Sequence, residues 1–385
     1  PGPTLGLVWG QGGVGKTRTI AETWSEERYL YFAADESTVG RNRRDFLAVL
    51  AAVSEHPMEL EDYPNWRTAF GRAFRVAREQ KRILVIDQAD QLFRRSDEVV
   101  EAFGQAWERQ PNDANGTVVL VGTGHQVADI LGAEPSGFAP LDGVWHLQPF
   151  DYWQAARMTP ERTIGQKAYV YGIYGGSPDR LSQIRPDASL PANVASHFFG
   201  RRGTIRAGLE RSLIEEPTVR NPAPYRAVLA AVAEGFRETN PVADAAGLGD
   251  RRAVARRALE TLEELEYIRR RRNLDAGKRA PWRSEIIEPA RRFYHRYVGP
   301  NRSRLAMGAA DRVWGDIVMP SLDEFMEAVF EQIAEQAYRR FHGEWGLPAP
   351  QTWTHWRGRD NNRRAIEIDI AAELEDGRIL TGQVR

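Results

Sequence analysis

Residues Gly10-Gln11-Gly12-Gly13-Val14-Gly15-Lys16-Thr17 have the types and spacing G-x-x-x-x-G-K-[ST], and that combination is built to hold phosphate. The glycines let successive backbone N–H groups curl inward around an anion, and the helix N-terminus that follows adds a partial positive charge. Lys16 is placed to reach the β- and γ-phosphates, and the Thr17 hydroxyl to hold Mg²⁺. Gly10, Gly12, Gly13, Val14, Gly15, Lys16, Thr17 and Arg18 are therefore expected to form a nucleoside triphosphate site, with ATP and Mg²⁺ as its occupants. The bland alternative is a glycine-rich turn before a helix. The flanks argue against it: Leu5-Gly6-Leu7-Val8-Trp9 is a short apolar run fit for a buried strand, and Arg18 to Trp24 has a helical pattern.

A second set of reactive residues lies downstream. Asp87 ends the apolar run Arg82-Ile83-Leu84-Val85-Ile86-Asp87, and a carboxylate at the end of a buried strand beside a phosphate loop is suited to the second Mg²⁺ contact. Capping of the next helix is the structural alternative. Many nucleotide hydrolases carry a glutamate after this aspartate, as the base that activates water. Here the residue is Gln88, whose amide can orient water but cannot take its proton. Asp90 could substitute. Thr123 is placed either to sense the γ-phosphate or as a turn hydroxyl. These features predict slow hydrolysis.

The elements that must position these groups are apolar strands. Arg28 to Phe32, Thr117 to Gly122 and Val144 to Leu147 join the two runs already named. With helical stretches between most of them, they predict a parallel sheet covered on both faces.

At 385 residues, two to four domains are expected. Hydrophobic content of 42% and charged content of 27% are those of a globular chain. No run approaches the roughly 18 apolar residues of a membrane span. With no signal peptide, a cytoplasmic location is expected and no membrane partner. The absence of cysteine excludes disulfides and thiolate chemistry, and the seven histidines show no metal-ligand spacing. A net charge of −1 excludes whole-molecule attraction to nucleic acid. No feature sets an oligomeric state. The chain opens on its first strand without an initiator Met and stops inside an expected strand, the pattern of a fragment with elements missing at its ends.

Further motifs resemble the archaeal-type P-loop ATPases, relatives of the signal-transducing ATPases and, more distantly, of the AAA+ group. Leu147-Gln148-Pro149-Phe150 is similar to the family's L-x-P-F segment before the lid helices, and Gly175-Gly176-Ser177-Pro178 to its G-G-x-P motif. The resemblance implies an α/β fold: a P-loop NTPase parallel sheet with a helical lid, a winged-helix domain and a partial α+β nuclease-like C-terminal domain. It implies the divisions 1–150, 151–215, 216–300 and 301–385, and a place for Pro178 near the nucleotide base. The F-V-G-R-E-like box before the first strand is absent, and the family's Asp-Glu pair is Asp87-Gln88.

Between 216 and 300, Pro222 to Gly235, the stretch around Val242 to Ala246, and Arg251 to Glu266 suggest three helices, with Asp250 capping the third. Tyr267 to Arg272 and a tip at 275–279 suggest a hairpin, which completes a winged-helix arrangement. Eleven Lys/Arg against five Asp/Glu lie between Arg251 and Arg283. Arg251, Arg252 and Arg256 on the helix, with Arg269, Arg270, Arg271 and Arg272 on the wing, could contact DNA or RNA. Packing against the rest of the chain is the alternative.

The C-terminal run Ala365 to Leu374, an Asp-Gly turn, and Ile379 to Arg385 suggest another hairpin. An Asp on one strand and E-x-K on the next is the metal-binding layout of restriction-endonuclease-like nucleases. Asp369 fits, and Glu331 could supply a helix-borne acid. Gln383 and Arg385 stand where Glu and Lys would be. Gln is a poor Mg²⁺ ligand and Arg does not lose its proton, which predicts a degenerate scaffold. Three functions follow: a nucleotide-dependent switch, a DNA-binding protein tuned by ATP, and an ATP-gated nuclease.

Overall fold

The computed structural model describes residues 2–54, 60–94, 96–111, 113, 115–123, 141–216, 218–274, 280–359 and 362–384. The chain divides into two compact units, Pro1–Pro149 and Phe150–Arg385.

In the first unit the apolar runs form five strands: β1 (Thr4–Gly10), β2 (Tyr29–Ala33), β3 (Ile83–Asp87), β4 (Thr117–Thr123) and β5 (Gly143–His146). They pair in parallel, in the order β2-β3-β4-β1-β5. Alternation along each strand sends side chains to opposite faces. Leu5, Leu7, Leu84, Ile86, Val118 and Leu120 meet one helical layer, whose core includes Phe46, Trp66, Phe70, Phe74 and Phe103. Val8, Val85, Val119 and Val121 meet Ile20 on the other face. Ile20 lies on the helix Lys16–Thr23, which begins directly at the glycine loop. The three central strands β1, β3 and β4 are therefore buried nearly throughout, whereas β2 and β5 are the edges, with Val144 and Trp145 of β5 about half exposed. This strand order sets the site. β4 separates β1 from β3, and the C-terminal ends of all three lie together.

The second unit opens with two short helices, Tyr152–Ala156 and Ile164–Tyr174, each started by a capping box, Asp151 with Gln154 and Thr163 with Gln166. The two family-like motifs pack on one another. Phe150 N donates to Gly176 O at 2.8 Å, and a Cβ on Gly176 would fall 1.9 Å from Phe150 O. Only glycine fits there.

Helices Pro222–Ala233, Thr239–Ala245 and Arg252–Glu264 follow, then the antiparallel pair β6 (Ile268–Arg271) and β7 (Arg283–Ile286). The expected tip at 275–279 lies outside the described residues. One correction concerns the third helix. Asp250 sits inside a 3₁₀ turn, Gly249–Arg251, so the cap position passes to Arg251, which makes no side-chain cap bond.

The chain ends with the 23-residue helix Met319–Phe341 and a three-stranded antiparallel sheet, β8 (Thr354–Arg359), β9 (Ala365–Glu373) and β10 (Ile379–Gly382), in the order β10-β9-β8. Its core is Tyr338, Trp353, Ile370, Ala372 and Leu374. The hairpin β9–β10 was legible from its apolar runs. β8 was not, because Thr354-His355-Trp356-Arg357-Gly358-Arg359 carries too little apolar alternation.

Candidate nucleotide site

The glycine loop leaves β1 at Gly10, where a Cβ would stand 2.3 Å from Leu147 O. Leu147 N in turn donates to Trp9 O at 2.7 Å, and Trp9 stacks on His146 with ring centroids 3.6 Å apart. The root of the loop is thus clamped to the chain leaving β5. Gly13 and Gly15 take φ of 79° and 97°, a left-handed backbone in which a side chain would be strained. A Cβ on Gly12 meets nothing within 4 Å, so protein packing alone does not require glycine there. Val14 is buried against the loop, whereas Arg18 extends into solvent and pairs with Glu22.

Lys16 is buried at 8% exposure. Its ammonium donates to Gly10 O at 2.9 Å and Gln11 O at 3.0 Å, so it lies across the mouth of the loop it belongs to. Burial lowers its pKa, opposed by the charges of Asp87 and Asp90.

Asp87, at the end of β3, is the hub of the site. Its Oδ2 accepts from the Thr17 hydroxyl at 2.6 Å and from the Tyr31 hydroxyl at 2.6 Å. Its Oδ1 accepts from Gln88 N at 2.7 Å. The bond from Thr17 to Asp87 joins the loop helix to β3 across the end of β4. Tyr31, on β2, was missed by sequence reasoning. The only available signal was a phenol near the end of a strand, and nothing local reveals which strand is its neighbour. Burial first, then the Asp87 carboxylate, raise the pKa of Tyr31 well above that of a free phenol, so it remains a donor.

Gln88 is exposed and takes φ 53°, a left-handed conformation uncommon for a residue with a side chain. It occupies the N-cap of the short helix Ala89–Phe93. Asp90, in the first turn of that helix, is buried; burial raises its pKa, and its Oδ1 accepts from Thr123 N at 3.0 Å. Thr123 is exposed and lies opposite Gly10 in the β1–β4 register. Lys16, Thr17, Asp87, Gln88, Asp90 and Thr123 are therefore gathered at one end of the sheet.

Mg²⁺ takes hard oxygen ligands and keeps several waters. The Thr17 hydroxyl and Asp87 carboxylate, held 2.6 Å apart at the loop, are a donor set of that chemistry. No softer nitrogen or sulfur ligand competes among the residues bonded to Asp87.

Within the second unit, Pro178 starts the helix Pro178–Leu181, and Arg180 of that helix pairs with buried Glu288. The basic residues divide into two groups. Arg252, Arg256 and Arg257 are exposed on the third helix and Arg251 on the 3₁₀ turn before it, with Arg252 also 3.7 Å from Asp244. The arginines at 269–272, on and just after β6, are engaged within the unit. Arg269 donates to Glu285 at 2.5 Å and Glu335 at 2.8 Å, Arg271 also pairs with Glu335, and Arg270 donates to Glu263 at 2.6 Å. Arg272 stacks over Trp282 at 4.1 Å. Glu335 lies on the long helix Met319–Phe341, so β6 is tied to that helix.

Glu331 and Asp369 line one small pocket together with Arg237, Arg271, Arg283, Glu285 and His355. Burial, aided by the charges of Glu285 and Asp369, raises the pKa of Glu331. Asp369 Oδ2 accepts from the Gln383 amide at 2.7 Å and from Val384 N at 2.8 Å. Arg385 lies outside the described residues. Among the described residues no cluster of three or more His, Asp or Glu is arranged to hold a metal ion, and no helix is long and apolar enough to cross a membrane.

Residues 2–131 match the AAA domain family. Residues 294–385 match the family described as "Archaea bacterial proteins of unknown function". No curated protein matches the chain. Among solved structures it is similar to the Aeropyrum pernix ORC2 protein in its ADPNP–ADP complexes, at 11% identity and a TM-score of 0.44, over 80% of this chain and 89% of that one. It is similar to the Aeropyrum pernix ORC1 protein in complex with DNA at 14% identity and a TM-score of 0.32, over 78% and 88% of the two chains. A signal-transduction ATPase with a tetratricopeptide-repeat sensor from Pyrococcus horikoshii is similar at 13% identity and a TM-score of 0.34, over 89% of this chain and 50% of that one. The chain thus carries an AAA domain at residues 2–131 and the domain of archaeal and bacterial proteins of unknown function at 294–385, a pairing that supports the resemblance of its motifs to the archaeal-type P-loop ATPases.

Proposed function

We propose that the chain is an ATP-binding, slowly hydrolysing, Mg²⁺-dependent switch. The observation that carries this reading is the constellation of Lys16 and Thr17 on the loop with Asp87 on β3, completed by an amide at Gln88. The loop N–H groups and Lys16 would hold the phosphates, and Thr17 and Asp87 would hold Mg²⁺, which neutralises charge on the β- and γ-oxygens. Gln88 would orient water without accepting its proton. Bound nucleotide would then favour one arrangement of the lid and winged helix, through a difference in affinity between states.

Gln88→Glu restores a base at this position. Turnover is expected to rise at least about tenfold, toward the typical contribution of a general base, with nucleotide affinity little changed. Wild-type turnover near the enzyme median of about 10 s⁻¹ would sink the reading of a slow switch.

A second reading rests on the exposed helix arginines. Arg251, Arg252, Arg256 and Arg257 would meet DNA or RNA phosphates, with ATP tuning the affinity. Replacing Arg251, Arg252 and Arg256 by serine is expected to weaken oligonucleotide binding and to flatten its salt dependence by up to about three counterions. Gel shifts that are unchanged at every salt concentration would refute it. Nuclease action is the least supported reading, because Gln383 and Arg385 stand where the metal-binding Glu and the Lys of such nucleases would be.

A further inference from the structure

We propose that Tyr31 is a positioning residue for the metal-side carboxylate: its hydroxyl locks Asp87 in the orientation that Mg²⁺ requires. The inference rests on the nucleotide-switch reading above.

Torsion about the last bond of an aspartate is soft, with a broad, roughly two-fold well. A carboxylate that must present one oxygen to a metal therefore needs its plane fixed from outside. At Asp87, Oδ1 is fixed by Gln88 N at 2.7 Å, a backbone donor with little freedom. Oδ2 has two donors, Thr17 and Tyr31, each at 2.6 Å. The two are not equivalent. Thr17 sits on the loop helix and is itself an expected Mg²⁺ ligand, so its position depends on what the loop holds. Tyr31 lies on β2, the strand paired directly with β3, and the register Tyr31↔Val85 and Ala33↔Asp87 sets its height beside the carboxylate. Its ring also meets Tyr29 edge-on at 6.4 Å. Of the two donors to Oδ2, only Tyr31 belongs to the rigid sheet.

Removing the phenol oxygen should cost the ion with the strictest geometry most. Mg²⁺ demands near-octahedral ligands, whereas Ca²⁺ accepts irregular sets of six to eight oxygens. The experiment is Tyr31→Phe in the full chain, read by binding of a fluorescent ATP analogue titrated with Mg²⁺, with Ca²⁺, and in EDTA, alongside a thermal melt. The half-saturating Mg²⁺ concentration is expected to rise about fivefold to tenfold, within the net worth of an ordinary intramolecular hydrogen bond. The Ca²⁺ value should move less, and binding in EDTA should not change. An unaltered Mg²⁺ response in a folded variant overturns the proposal. So does an equal loss under all three conditions, which would make Tyr31 a packing residue only. Wild-type binding that ignores Mg²⁺ overturns the underlying reading as well, and it is recognised before any substitution is made.

Discussion

Lys16→Ala is expected to weaken ATP binding by about 100-fold or more, equivalent to about 2.7 kcal/mol, with the fold retained. Two losses combine. The ammonium is the cation nearest the mouth of the loop, in a site where it is only 8% exposed and poorly screened by solvent. It also ties the loop together through Gly10 O and Gln11 O, so its removal loosens the cradle it serves. Lys16→Arg is expected to fail nearly as badly. A planar guanidinium cannot enter a pocket shaped for a compact donor that swings from two carbonyls to a phosphate. Equilibrium binding of a fluorescent ATP analogue, checked against circular dichroism, measures both. Binding that persists unchanged in the alanine variant would end the nucleotide reading.

The parts of this site that were legible in the sequence are those encoded locally. The loop declares itself because positive φ at Gly13 and Gly15, and the contact at Gly10, demand glycine at set intervals. The strands declare themselves because a parallel sheet buried on both faces needs unbroken apolar runs. Asp87 followed from its place at the end of such a run. Tyr31 did not, since its partner is 56 residues away and only the strand order β2-β3 brings them together. Sequence spacing carries no record of that order.

The same limit applies to the arginines. Arg251 to Arg257 and Arg269 to Arg272 form comparable basic clusters in sequence, but their surroundings differ. The first lies on an exposed helix face, and the second is matched by Glu335, more than 60 residues further along the chain. The cap was expected at Asp250, one residue too early, for a different reason. A 3₁₀ turn ahead of a helix has nearly the same residue preferences as a cap, and only hydrogen bonding separates the two.

Glu335 gives the largest expected effect on stability. Its carboxylate, 9% exposed, accepts from Arg269 at 2.8 Å, from Arg271, and from Arg339 at 3.1 Å. Arg269 and Arg271 also share Glu285. In Glu335→Leu these two guanidinium groups must divide one carboxylate between them in a poorly solvated place. Breaking a buried ion pair from one side costs about 3–5 kcal/mol, far more than the pair contributes net. A loss of that size in urea unfolding of the second unit is expected, and a change under about 1 kcal/mol would mean that β6 is held by other contacts. The pH dependence follows from the same charges. Burial alone would raise the pKa of both acids, but Arg269 and Arg271 outweigh it; they hold Glu335 below its ordinary value and pull Glu285 down to about 2. Both folded pKa values thus lie below the unfolded value. Their contribution is complete above about pH 4.5 and is lost as pH falls toward 2. Glu331, raised by burial, works in the opposite direction and at higher pH, its contribution to stability growing as pH falls and complete by about pH 4.5. Wild-type stability should therefore fall between about pH 5 and pH 2, and Glu335→Leu should fall less steeply over that window, having already lost one of the two acids. If Arg269 and Arg271 serve packing, the same variant will bind oligonucleotides no more weakly than wild type, even as its second unit becomes easier to unfold.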